Sequence, residues 1–179
     1  MLTEKIDTLV VGAGQAGIAM SEHLSNCNIP HIVLERSRIA ERWRSERWDS
    51  LVANGPAWHD RFPNMEFSDF DPNGFPNKEQ VADYFVAYAD MINAPIHCGV
   101  EVLEVKRNDG RPGFRVETSH GVIEANNVVA ATGPFQCPLI PNLVPTNETI
   151  TQIHSKDYYN PEQLPEGAVL VVGAGSSGA

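Results

Sequence analysis

The chain has 179 residues and a formal net charge of -10, long enough for one domain with a sizeable core and too short for two complete nucleotide-binding domains. Its acidity disfavours nucleic acid or an anionic membrane surface as a partner, because such sites carry clustered Lys and Arg. The 3 cysteines, Cys27, Cys98 and Cys137, are odd in number and far apart, which argues against a disulfide framework or a zinc cluster and for a reduced, cytoplasmic setting. Residues 1–7 lack a signal-peptide apolar region and no apolar run reaches membrane-spanning length, so a soluble protein is expected.

Residues 6–11 are an apolar run that predicts a strand, and residues 18–25 read as the first turns of a helix. Between them stand Gly12, Ala13, Gly14, Gln15, Ala16 and Gly17, a glycine fingerprint in the strand-to-helix context that a dinucleotide site requires. Glycine there permits a sharp turn, close approach of backbone to a pyrophosphate and tight packing of helix on sheet, while the helix N-terminus faces the phosphate charge. A second strand over 31–34 delivers Glu35 about 20 residues downstream, the spacing expected of a carboxylate that holds both hydroxyls of an adenosine ribose. The alternative is a fortuitous glycine turn. Arg36, Arg38, Arg42, Arg44 and Arg47 follow with two tryptophans, a local positive charge that would serve cofactor phosphates.

Residues 53–77 are rich in Pro, Gly, Asn, Asp and aromatics, and read as an ordered excursion without long regular elements. Asn77 can cap a helix with Gln80 three residues on, and Val81, Tyr84, Phe85, Tyr88 and Ile92 fall at helical spacing as a core stripe. Strands are expected over 100–106 and 114–118 around the turn Asn108-Asp109-Gly110, a further hairpin arm over 121–124, and a short strand over 128–131 ending in Thr132-Gly133-Pro134. A second apolar strand, 168–172, leads to Gly173, Ala174, Gly175, Ser176, Ser177 and Gly178, a second phosphate-loop pattern with no helix or acid after it. Two nucleotides are implied.

Gly12 to Gly17, then Leu34-Glu35-Arg36, Trp43, Ala131-Thr132-Gly133 and Gly173 to Gly178 resemble, in order and spacing, the flavin-containing monooxygenases and their Baeyer-Villiger relatives. The resemblance covers the whole chain, which would be the N-terminal part of such an enzyme. It implies an α/β, Rossmann-like FAD-binding fold with a parallel sheet and an added β-meander, cut off at the start of a second Rossmann fold. The implied division is 1–165 for an incomplete FAD-binding domain and 166–179 for the first strand and phosphate loop of an NAD(P)H-binding domain. FAD would be met by Gly12, Gly14, Gln15, Ala16, Gly17, Glu35, Arg36, Trp43, Val102, Thr132 and Gly133, and NADPH by Gly173, Gly175, Ser176 and Gly178. Trp43 matches a tryptophan near the flavin; a core or surface tryptophan is the other reading. Asn54 matches the asparagine that lies at the flavin and supports its oxygen adduct, since an amide can donate and accept without fixed charge. Otherwise Asn54 is a turn residue before Gly55-Pro56.

Two departures bear on the subfamily. Ala57 stands where these monooxygenases often have lysine, and His154, Ser155 and Tyr158 match a family signature only in part, with Glu148 and Ile150 in place of its phenylalanine and glycine. His154 is therefore expected to be structural. The activity implied is hydride transfer from NADPH to FAD, then oxygenation of a small-molecule substrate through a flavin peroxide protected in a dry site, with this chain inactive alone. Asp49, His59 and Asp60 are read as solvated loop residues without catalytic roles. The competing classes are a non-catalytic nucleotide-binding module and a flavin-dependent disulfide reductase, the latter needing a cysteine pair that the spacing does not provide.

Overall fold

A computed structural model describes residues 4–134, 136–141, 149–175 and 177–178. The chain divides into two units, residues 1–41 with 82–134, and residues 42–81 with 135–179.

The first unit is built on β1 (Glu4–Val11), whose Leu9 and Val10 are both fully buried although they point to opposite faces. Leu9 belongs to a cluster with Leu34, Val116, Ile123 and Ala125, and Val10 to another with Ala13, Leu24 and Val33. A strand covered on both faces is the setting of a parallel sheet, and β2 (His31–Glu35) pairs with β1 in parallel after α1 (Gln15–Asn26). Each fully buried Leu, Ile or Val here contributes about 1.5–3 kcal/mol. Helices α2 (Glu41–Ser45) and α3 (Lys78–Met91) come next in the chain. They are followed by β3 (Ile96–Cys98), β4 (Val102–Arg107), β5 (Phe114–Thr118) and β6 (Gly121–Ala130).

These strands form one six-stranded sheet in the order β3-β2-β1-β6-β5-β4. The first four are mutually parallel and the last three an antiparallel meander, so β6 joins the two kinds of pairing. The expected fold class, a Rossmann-like sheet with an added meander, is the one observed.

One pair of expected strands is merged, and one strand is added. The separate arm at 121–124 and strand at 128–131 are one strand, β6, because the polar pair between them is accommodated rather than turned out of the ladder. Asn126 donates to the Asp7 carboxylate at 3.1 Å and Asn127 lies 3.5 Å from the Thr8 hydroxyl, both on the neighbouring β1. The short β3, pairing Val33 with Ile96, carries too few residues to show a period and has no counterpart among the expected elements.

In the second unit, residues 51–60 are tied to residues 72–78. Val52 bridges Asn77, Ala53 N–H donates to Pro76 O at 2.8 Å, and Ala57 N–H donates to Gly74 O at 2.9 Å. The expected capping box opens α3: Gln80 N–H donates to Asn77 Oδ1 at 3.0 Å and Asn77 N–H donates to Gln80 Oε1 at 2.9 Å. Val81, Tyr84, Phe85 and Tyr88 on α3 are buried, while Ile92 lies beyond its end.

Residues 168–172, expected as a strand, form none: Leu170 is 85% and Val172 79% exposed, and no neighbour among the described residues supplies a ladder. Among the described residues no helix is long and apolar enough to cross a membrane, and no group of His, Cys, Asp and Glu could hold a metal ion.

Candidate nucleotide-binding site

The turn from β1 to α1 is shaped by what its glycines lack. Gly12 has φ +106°, and a Cβ there would lie 2.6 Å from Ala131 O at the end of β6. A Cβ on Gly17 would sit 1.8 Å from Gly12 O, so helix and strand could not approach as they do. At Gly14, by contrast, a Cβ would meet no atom within 4 Å. Gly12 and Gly17 are thus explained by the fold, whereas Gly14 keeps open a space that no described residue fills.

Gly14 is the N-cap of α1 and offers no side-chain cap, and no acidic residue stands in the first turn. The first-turn amides have no carbonyl partner within the helix, so those of Gln15, Ala16 and Gly17 present hydrogen-bond donors and the positive end of the helix dipole. Such a helix end suits a bound anion.

Glu35 ends β2 beside this turn. Its Oε2 accepts Ala13 N–H at 2.9 Å and its Oε1 accepts Ser37 N–H at 2.9 Å. Each carboxylate oxygen retains a further lone pair, enough to accept a pair of sugar hydroxyls. Ala13 is also held from its other side, its carbonyl accepting Ala40 N–H at 3.1 Å. The turn is therefore preorganised by the protein itself, and an open phosphate cradle next to an anchored carboxylate fits the adenosine diphosphate half of a dinucleotide.

Other expected site residues take varied places. Thr132 and Gly133 follow β6 after Ala131 and are exposed, with Thr132 Cα 3.4 Å from where a Gly12 Cβ would be. Val100 N–H donates to Glu35 O at 3.0 Å, which brings the chain just ahead of Val102 alongside Glu35. Val102 itself is half-buried against the Leu9 and Leu34 cluster. Arg36 is exposed beside Glu35.

Trp43 and Asn54 belong to the second unit. Trp43 lies on α2 with the Arg47 guanidinium 5.8 Å from its ring centroid. Asn54 is exposed, its side-chain amide without a hydrogen-bond partner among the described residues. Gly173 has φ +119°, and a Cβ on Gly178 would lie 2.4 Å from Gly173 O, repeating the relation of Gly12 to Gly17. Gly175, like Gly14, has nothing within 4 Å of a built Cβ, and Ser176 lies outside the described residues.

Several expectations need correction. The arginine run is not a reservoir of positive charge, because Arg38, Arg42 and Arg44 pair with Glu41, Glu46 and Glu79 at 2.6, 2.6 and 3.6 Å. Asp49 is exposed, as expected, and also accepts from Asn160 Nδ2 at 2.9 Å and Lys78 Nζ at 3.1 Å, bonds that hold its carboxyl below the ordinary value. Asp60 likewise has specific partners, Gly55 N–H and the His59 ring. Their pairings span 1 to 111 residues in sequence, and only the Gly55-Pro56 turn hinted at one of them. His154 has a local role, its Nδ1 accepting Lys156 N–H at 3.1 Å.

A family model described as "Pyridine nucleotide-disulphide oxidoreductase" matches residues 9–179. The chain belongs to this family.

Among its relatives, an oxidoreductase of Geobacillus kaustophilus described as CzcO-like is 46% identical over 176 residues, covering 97% of this chain and 49% of that protein. A probable indole-3-pyruvate monooxygenase of Arabidopsis thaliana is 30% identical over 172 residues, covering 95% of this chain and 42% of that protein. The solved structure of a flavin-containing monooxygenase from Stenotrophomonas maltophilia matches with a TM-score of 0.68 at 22% identity, over 78% of this chain and 42% of that one, which establishes likeness of fold. The chain spans about half the length of the curated relatives it matches. The motif resemblance to flavin-containing monooxygenases and the family match thus agree. In this chain the three cysteines are free, and desolvation, with the Glu35 carboxylate adding to it, raises the Cys98 thiol above its ordinary value. A redox thiol needs the opposite shift.

Proposed function

We propose that the chain is the FAD-binding part of an NAD(P)H-dependent flavoprotein monooxygenase acting on a small-molecule substrate. On this reading residues 1–165 make most of the FAD-binding domain and residues 166–179 open an NAD(P)H-binding domain. The observation that carries it is the Glu35 carboxylate anchored on Ala13 N–H beside the open face of Gly14.

Gly12, Gly14, Gln15, Ala16 and Gly17 hold the FAD diphosphate, with backbone amides doing the binding, and Glu35 takes the ribose hydroxyls. Arg36, Val102, Thr132 and Gly133 line the path of the cofactor, and Trp43 and Asn54 serve its flavin end. Gly173, Gly175, Ser176 and Gly178 take the pyrophosphate of NADPH, a role supported by the repeated glycine geometry. When bound, FAD supplies hydride acceptance and oxygen activation; the protein binds, orients and keeps water out. The Asn54 amide, without a hydrogen-bond partner among the described residues, is able to donate to and accept from oxygen atoms at the flavin. Three free, exposed cysteines support a reducing compartment. A disulphide reductase is disfavoured because no two of those cysteines are close in sequence.

Because the matched relatives are about twice as long, this chain alone is expected to bind FAD weakly and to oxidise no NADPH. The absorbance spectrum of freshly purified protein tests this, and a stoichiometric flavin band would refute it. FAD titration tests the site: Glu35→Ala should weaken binding by about 1–3 kcal/mol through unpaired ribose hydroxyls. Unchanged affinity would remove Glu35, and the site with it.

A further inference from the structure

Asn54 stands in a loop whose neighbouring amides are both fastened. Ahead of it, Ala53 N–H donates to Pro76 O at 2.8 Å. After it, Gly55 N–H donates to Asp60 Oδ2 at 2.8 Å. Position 56 is proline and has no amide hydrogen, so Gly55 N–H is the one peptide donor immediately downstream of Asn54. The fit at this point is specific: a Cβ on Gly55 would lie 2.5 Å from Asp60 Oδ1 and 2.9 Å from Oδ2, so the carboxylate occupies the space that glycine leaves. Asp60 is fixed in turn. Its N–H donates to Pro56 O at 3.1 Å, and His59 Nδ1 lies 2.7 Å from its Oδ1.

We propose that Asp60 is a positioning residue for Asn54, its carboxylate locking the Gly55 peptide so that the Asn54 amide is held ready in one orientation. This rests on the assignment of Asn54 to the flavin made under Proposed function. A charge-assisted bond to a backbone N–H is among the stronger ones available to such a loop, and it reaches the peptide adjoining the working side chain. A misplacement of about 1 Å at a reacting centre can cost about a hundredfold in rate, so a lock of this kind bears directly on how Asn54 works.

The test uses the protein at its full natural length, loaded with FAD, without substrate. NADPH, a proton and oxygen then give NADP+ and hydrogen peroxide, two electrons passing from the nicotinamide through FAD to oxygen. Hydrogen peroxide release is read for Asn54→Ala, Asp60→Ala, Gly55→Ala and Asp60→Asn, with amide hydrogen exchange at Gly55 and the Kd for FAD measured alongside. Asp60→Ala and Gly55→Ala are expected to raise release about tenfold, as Asn54→Ala does, and to speed exchange at Gly55 by a similar factor, with FAD affinity unchanged. Asp60→Asn, which keeps an acceptor oxygen for Gly55 N–H, should return both readouts close to wild type. A merely structural Asp60 would change stability without moving peroxide release in step with Asn54→Ala. If Asn54→Ala raises release and Asp60→Ala does not, the positioning role is overturned while Asn54 keeps its assignment. If Asn54→Ala itself has no effect, both fall. Should Asp60→Ala fail to fold, Gly55→Ala decides, because its methyl group displaces the same carboxylate.

Discussion

At Gly17 and Gly14 one substitution has two different meanings. Gly17→Ala drives a methyl group into Gly12 O, a contact of 1.8 Å that backbone must move to relieve, and should cost about 1–3 kcal/mol of stability by urea denaturation. Gly14→Ala meets nothing within 4 Å and should cost about 1 kcal/mol or less, yet weaken FAD binding more than it weakens the fold, as a flavin-fluorescence titration would show. Glu35→Ala combines the two effects, since it strips acceptors from Ala13 N–H and Ser37 N–H before any ligand is added. The glycines and Glu35 were legible because their spacing is a property of the chain itself. Asp60 was not, because its role depends on a cavity at Gly55 that exists only when the loop is folded.

Elements bounded by local chemistry were legible, as were β2 and β5, whereas the continuity of β6 and the pairing of β3 were not. The α3 capping box lies within four residues, Asn77 through Gln80, and was visible as such; Asn77→Ala should cost about 1 kcal/mol, read from the thermal or urea midpoint. The continuity of β6 depended on Asp7 and Thr8, more than a hundred residues away, which receive Asn126 and Asn127. Asp49 similarly joins distant segments, accepting from Lys78 and Asn160. Those bonds lower its folded-state pKa below 3.8, so the stability they contribute is present above that value and is lost as pH falls through the lowered one. Denaturation midpoints over about pH 2 to 6 should decline less steeply for Asp49→Asn than for wild type.

Over the whole molecule, the two glycine turns show how much of a site pattern is local. Gly12 with Gly17 and Gly173 with Gly178 adopt the same close approach, although one follows a central sheet strand and the other an unpaired apolar segment. Val169 to Val172 leave four apolar side chains exposed by 62 to 85%, a surface prone to association. Leu170→Lys should lower concentration-dependent self-association in sedimentation velocity and leave the melting temperature unchanged.

The sequence by itself determined the βα turn, the carboxylate that faces it, the capped α3 and the alternation of strands, since each is set by residues within about 20 positions of one another. Only the tertiary structure decided that β6 is one strand bridging parallel and antiparallel pairing, that Arg38, Arg42 and Arg44 pair with glutamates, and that Asp60 fills the place of a missing Cβ. Those outcomes depend on which surfaces meet, and meeting is settled by burial and hydrogen-bond satisfaction across the fold rather than by any stretch of chain.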